Sequence, residues 1–112
     1  MLQDVRLRVY YDSLWDGVRR NWTIPPSLEG KGYRVVVSLF LNRQGKIIDE
    51  RGRPVDDRGD SIRPRVESSS GNVLFDQLAQ RAIEIASSKG LLAIPKDISG
   101  EVLEVGFKFE GR

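Results

Sequence analysis

The sequence predicts an α+β domain, a three-stranded antiparallel sheet with two helices packed on one face. Residues 4–22 and 68–90 repeat apolar side chains at three- and four-residue spacing, the period of a helix with one buried face. Residues 33–42 and 101–110 alternate apolar and polar side chains, as a strand with one wet face does. Turn residues at Asn42-Arg43-Gln44-Gly45 join the first strand to an antiparallel neighbour. With 112 residues, 39% of them hydrophobic, the chain suits a single domain, 1–112, with one core between two layers.

In the first helix, Val5, Val9, Tyr10, Leu14, Val18 and Trp22 make the apolar stripe, with Tyr11 and Trp15 on its flank. Gly17 weakens this helix by roughly 1 kcal/mol relative to alanine. Pro25-Pro26 ends it. In the first strand, Val35, Val37, Leu39 and Leu41 share one face, and Arg34, Val36, Ser38, Phe40 and Asn42 share the other. Lys46 to Glu50 begins a second strand. Residues 51–64, RGRPVDDRGDSIRP, interrupt it as a charged loop insertion with no periodic pattern. Strand character resumes at Arg65-Val66-Glu67-Ser68.

The second helix is the most fully marked element. Ser68-Ser69-Ser70-Gly71 turns the chain, and Asn72 offers a side-chain oxygen to the free amides of the helix start. Phe75, Leu78, Ala79, Ala82, Ile83, Ile85 and Ala86 fall on one face, and Gly90 stops the helix. Leu91 to Pro95 then reads as an apolar tether over the core. In the last strand Leu103, Val105, Phe107 and Phe109 point one way, and Val102, Glu104, Gly106, Lys108 and Glu110 the other.

Composition removes several function classes. A net charge of +2, spread evenly, does not argue for nucleic acid. The absence of cysteine excludes disulfides, zinc knuckles and a thiol nucleophile, and the absence of histidine removes the commonest general base and metal ligand. No stretch approaches the roughly 20 apolar residues of a membrane span. A nucleophile would have to be a serine activated by lysine or a carboxylate, but no G-x-S-x-G elbow surrounds Ser68 to Ser70. Walker and dinucleotide glycine patterns are missing too. Neither catalytic residues, nor a metal, nor a cofactor, nor a small-molecule substrate is expected.

Three short matches read better as ordinary structure. Asn21-Trp22-Thr23 fits a glycosylation sequon but lies at a helix end, and Arg58-Gly59-Asp60 fits an integrin tripeptide but lies in a charged loop. Asp56, Asp57 and Asp60 lack the spacing and closing glutamate of an EF-hand. Glu101, Glu104 and Glu110, with Asp97, read as a wet strand end rather than a carboxylate dyad.

Strand addition is the better-motivated activity. With the first strand central, the last strand is an edge whose free amides and carbonyls can pair with an extended peptide. The candidate partner-binding residues are therefore Glu101, Val102, Leu103, Glu104, Val105, Gly106, Phe107, Lys108, Phe109 and Glu110. Physical reasoning leaves a second reading open, in which the tether covers this edge or Glu104 and Lys108 guard it.

Taken in order, these pieces resemble the C-terminal domain of the TonB/TolA family, the periplasmic tips of energy transducers in Gram-negative bacteria. The residues that carry the resemblance begin with Tyr10-Tyr11, Leu14-Trp15 and Trp22-Thr23-Ile24-Pro25. They continue through the strand Val35 to Leu41, Gln44-Gly45-Lys46 and Ser69-Ser70-Gly71-Asn72. Phe75-Asp76, Ala79, Ala82-Ile83, Ala86, Ile94-Pro95 and Glu104-Val105-Gly106-Phe107-Lys108-Phe109 complete the series. The charged insertion at 51–64 departs from the family, which usually has a short second strand there.

The resemblance implies a periplasmic protein-binding domain of a TonB-like energy transducer. It would dock peptide segments of outer-membrane transporters by strand addition to Glu101 to Glu110. Proton-channel subunits of the inner membrane would be engaged through a longer, membrane-anchored parent protein. The alternatives are a TolA-like cell-envelope integrity domain that binds Tol–Pal components, and a small serine hydrolase. Exposed edges and the insertion also allow a strand-exchanged homodimer.

Overall fold

The computed structural model describes residues 2–111, with side chains from residue 5 onward. Its elements are α1 (Leu2–Arg19), β1 (Arg34–Asn42), β2 (Ile47–Ile48), β3 (Arg65–Ser68), α2 (Val73–Ser88) and β4 (Val102–Glu110). A 3-10 turn spans Pro26–Leu28. The expected α+β class is found, but the antiparallel sheet has four strands rather than three. What the sequence shows as one interrupted strand is two short strands laid end to end along one side of β1. There β2 pairs with Phe40-Leu41 and β3 with Val36 to Ser38, across an irregularity between Val36 and Val37. On the other side of β1, β4 pairs without a break from Arg34↔Glu110 to Asn42↔Val102.

The strand alternation sorts the sheet as expected. Val35, Val37, Leu39 and Leu41 of β1 are buried with Val105, Phe107 and Phe109 of β4. They share one cluster with Leu14 and Val18 of α1 and Phe75, Ala79 and Ile83 of α2. Both helices therefore cover the same face of the sheet. Phe109 is the aromatic centre: its ring lies 4.6 Å from Trp22 and 5.3 Å from Trp15. Trp22 in turn meets Phe75 edge-on at 5.3 Å. Aromatic pairs at such separations add roughly 0.5–1.5 kcal/mol each beyond the area they bury.

α1 departs from its expected stripe. Tyr10, Leu14 and Val18 are buried, but Val5 and Val9 are 62% and 63% exposed. The tether sets that rotation. The Tyr10 hydroxyl donates to the Leu92 carbonyl at 2.8 Å, and a Cβ on Gly17 would stand 3.2 Å from the Leu91 Cβ. Gly17 is thus the place where the tether comes close, and its lower helix propensity is offset by that approach. The helix also ends at Arg19, before the prolines. Trp22 N donates to Arg19 O, and the Asn21 amide group donates to Gly17 O at 2.9 Å. With Lys89 donating to its Oδ1, Asn21 of the sequon serves as a helix-end clasp.

α2 follows its expected course. Asn72 Oδ1 accepts from Phe75 N at 2.9 Å, and Gly90 takes a φ of +73°. Asp76 is an addition: buried in the first turn, it accepts from the Ser69 hydroxyl and from both the amide and the hydroxyl of Ser70. A carboxylate there also suits the helix dipole.

The insertion is not the aperiodic loop expected at 51–64. Asn42-Arg-Gln-Gly-Lys46, Asp49-Glu-Arg-Gly-Arg53 and Asp56-Asp-Arg-Gly-Asp60 are three copies of one turn, seven residues apart. In each, the first residue's amide donates to the fifth carbonyl and the glycine amide to the first carbonyl. The first side chain accepts from the third and fifth amides at 2.8–3.1 Å. Gly45, Gly52 and Gly59 have φ of 80°, 82° and 85°, the left-handed position of a three-residue hairpin. The chain thus leaves the sheet as a small meander, closed by the Val55↔Ser61 bridge. Arg58-Gly59-Asp60 is the third copy of this turn.

Candidate functional site

β4 pairs only with β1 among the described residues, which leaves its other edge without a strand over all nine residues. This is the edge position expected for Val102 to Glu110, while Glu101 falls just before the strand. The opposite side of the sheet is different in kind. β3 is four residues long, follows a register shift, and bears Arg65 and Glu67, whose side chains pair at 2.6 Å. Short strands, bulges and charge are the means by which proteins blunt an edge. β4 also bears charge, at Glu104, Lys108 and Glu110, but it is nine residues long and has no register shift.

The strand's two faces offer different surroundings. On the helix side, Tyr11 and Trp15 of α1 stand beside residues 104–108 and enclose an open groove of about 460 Å³. Trp15 stacks toward Phe107 at 6.2 Å, so the floor of the groove is aromatic. On the far side stand Val102, Glu104, Gly106, Lys108 and Glu110, all exposed. Gly106 sits opposite Ser38 of β1, and a Cβ built on it would meet nothing within 4 Å. Lys108 lies 3.3 Å from Glu110, which is 4.0 Å from Arg34, whereas Glu101 and Glu104 have no ion pair among the described residues.

The approach to β4 is held from below. Arg43, in the first hairpin, donates to the carbonyls of Pro95 (2.8 Å), Ile98 (2.9 Å) and Gly100 (2.6 Å). Its own carbonyl accepts from Ile94 N at 2.9 Å. Leu92, Ile94 and Ile98 are buried along the same path. The tether therefore lies over the helix–sheet core and delivers the chain to β4, rather than lying along its free edge. Burial of Tyr10 beneath the tether pushes its phenol up to about 12, with Tyr11 adding to the rise and Arg43 opposing it.

The serine turn has a structural occupation. The Ser69 and Ser70 hydroxyls are engaged with Asp76, and Ser70 Oγ also lies 3.2 Å from Asn72 O. Among the described residues, no group of three or more acidic side chains is placed to hold a metal ion. A larger open cleft of about 770 Å³ lies between the hairpins and the end of α2. Its lining includes the sixth residue of each seven-residue unit, Ile47, Pro54 and Ser61.

Nothing within the sequence places the groove, Arg43 or the cleft. Tyr11 and Trp15 are visible as a flanking pair four residues apart, but which element they flank depends on how α1 is rotated. No family model, curated protein or solved structure matches the chain significantly.

Proposed function

We propose that this domain is a protein-docking module that takes an extended peptide segment onto the free edge of β4. Its setting, on this reading, is the periplasm, as part of a TonB-like transducer serving outer-membrane transporters. One observation carries the docking: a nine-residue strand, regular along its whole length, is paired on one side only among the described residues. Such an edge supplies backbone hydrogen bonds for affinity, and alternating side-chain sites supply selectivity. Here those sites are the aromatic groove at Tyr11 and Trp15 and the exposed row from Glu104 to Lys108. The ordered motifs from Tyr10-Tyr11 to Phe109 supply the transducer part of the reading. We take the domain to be a binding module rather than an enzyme, since its serine cluster is engaged in a turn.

The test is an amide-resonance titration of the labelled domain with peptides from the N-termini of outer-membrane transporters. Shifts concentrated in residues 102–110, Tyr11 and Trp15 support the docking. Shifts confined elsewhere, or no binding by any peptide, contradict it. A pull-down from envelope extract separates the roles: transporter barrels support the TonB-like reading, and Tol–Pal components support a TolA-like one.

A further inference from the structure

The two charges nearest the midpoint of β4 form a self-complementary palindrome, with Glu110 outside it and matched to Val102. The strand runs from Val102 to Glu110, so Gly106 is its central residue. Glu104 lies two residues before Gly106 and Lys108 two residues after, all three on the exposed face. If two copies of this edge meet antiparallel with Gly106 opposite Gly106, every Glu104 faces a Lys108 of the other copy. The same register sets Val105 against Phe107 and Leu103 against Phe109 on the helix side. All nine residues of each strand are then paired. Shifting the register by two residues loses both charge pairs, and in one direction it sets Glu104 against Glu110. A shift by one residue brings apolar and charged faces together.

Four features of the structure suit that axis. A two-fold perpendicular to the sheet keeps the helices of both copies on one side, as an isologous contact requires. The groove beside Tyr11 and Trp15 spans residues 104–108 and so is centred on the same glycine. Gly106 itself has open space where a side chain would stand, and glycine in a strand interior commonly marks a close approach of another backbone. Glu104 has no ion pair among the described residues, and the exposed Lys108–Glu110 contact within one strand is weak enough to be exchanged.

We propose that the domain pairs with a second copy of itself through β4, antiparallel and in register about Gly106, to form one continuous sheet across two chains. This stands on the strand's own sequence and free edge, whether or not the same edge takes a transporter peptide. It is edge pairing between two intact domains, and no strand is exchanged. Where both contacts exist, they are mutually exclusive, because each uses the same row of backbone groups.

Sedimentation over a concentration series tests the association, and charge reversal tests its register. The wild-type chain is expected to show a reversible monomer–dimer equilibrium. Lys108→Glu turns both cross-copy pairs from attraction to repulsion and is expected to weaken the dimer about tenfold or more. The double variant Glu104→Lys/Lys108→Glu is expected to restore it, since the palindrome is inverted but intact. The chain has no cysteine, so an introduced one reports alone. Directly opposed residues of antiparallel strands have Cα atoms about 4.5–5.5 Å apart, within disulfide range. Gly106→Cys is therefore expected to give an oxidised dimer, Glu104→Cys alone none, and Glu104→Cys mixed with Lys108→Cys a heterodimer. A chain that stays monomeric throughout, a double swap no better than the single reversal, or equal cross-linking by Glu104→Cys alone would overturn the proposal. Both side chains are exposed and the Gly106 site is open, so circular dichroism should show all variants folded.

Discussion

The two sides of β1 show opposite treatments of a sheet edge. Toward β2 and β3 the pairing is broken into pieces of two and four residues, and the chain between them leaves as a meander of two tight hairpins. Arg65 and Glu67 stand on that side, with the Ser38 hydroxyl donating to Glu67 at 2.6 Å. Toward β4 the ladder is unbroken for nine residues and ends at an open edge beside an aromatic groove. A fold that blunts one edge and leaves the other long and regular has made a directional surface. That difference is the reason we propose docking on β4 and read the other side as structural closure.

The largest expected contrast is in packing. Phe109 of β4 is fully buried between Trp15 and Trp22, so Phe109→Ala should cost about 3–5 kcal/mol in urea unfolding. Val66 of β3 is only partly buried, and Val66→Ala should cost about 1 kcal/mol or less. Equal losses would mean that both sides of β1 carry the core alike.

The three hairpin glycines sharpen the comparison further. All have φ near +80°, which disfavours any residue with a Cβ by about 1–2 kcal/mol. Gly45 alone lies under the tether, where a Cβ would stand 2.5 Å from Ala93 N and Leu92 C. Gly45→Ala should therefore destabilise by more than about 2 kcal/mol. Gly52→Ala and Gly59→Ala, with open space around them, should each cost only about 1 kcal/mol. Three equal losses would show that the tether does not rest on the first hairpin.

The smallest effects are those of pH. The carboxyl of Asp49 is held below its ordinary value, first by the Arg53 amide, and that of Glu67, first by the Ser38 hydroxyl. Folded values below the unfolded ones stabilise above the unfolded pKa, and that contribution is lost as pH falls below about 4. Both groups lie on the β2–β3 side, so acid should loosen the hairpins and β3 before β4 in amide exchange. Tyr10 works at the other end: its raised pKa gives a contribution present below pH 10.0 and lost as pH rises toward about 12. Loosening at that end should begin at the tether.

Local signals were readable in the sequence because they act within a few residues. Asn72 and Gly90 bound α2 as their chemistry dictates, and the alternation in β1 and β4 separates buried from wet side chains. The rotation of α1 was not readable, because Val5, Val9 and Tyr10 all fit a helical stripe and only the docked tether selects among them. The first hairpin is legible at Asn42 to Gly45, but the second and third are not, because the repeat they share is in turn chemistry and has no hydrophobic period. The signal was present as Asn or Asp followed three residues later by glycine, at 42/45, 49/52 and 56/59. Asp76 gives no sign in sequence of being buried; only the folded serine turn brings hydroxyls to it.

Hydrogen exchange on the labelled domain, with and without transporter N-terminal peptides, is the most direct test of β4 as the docking edge. In the monomer, below the concentration at which copies would associate, amides of β4 that point toward β1 are protected by the ladder and those that point away are open. Bound peptide should protect alternate amides within Val102 to Glu110 and leave Arg65 to Ser68 unchanged. Protection that arises at β3 or the hairpins instead, with the β4 amides still exchanging freely, would contradict it.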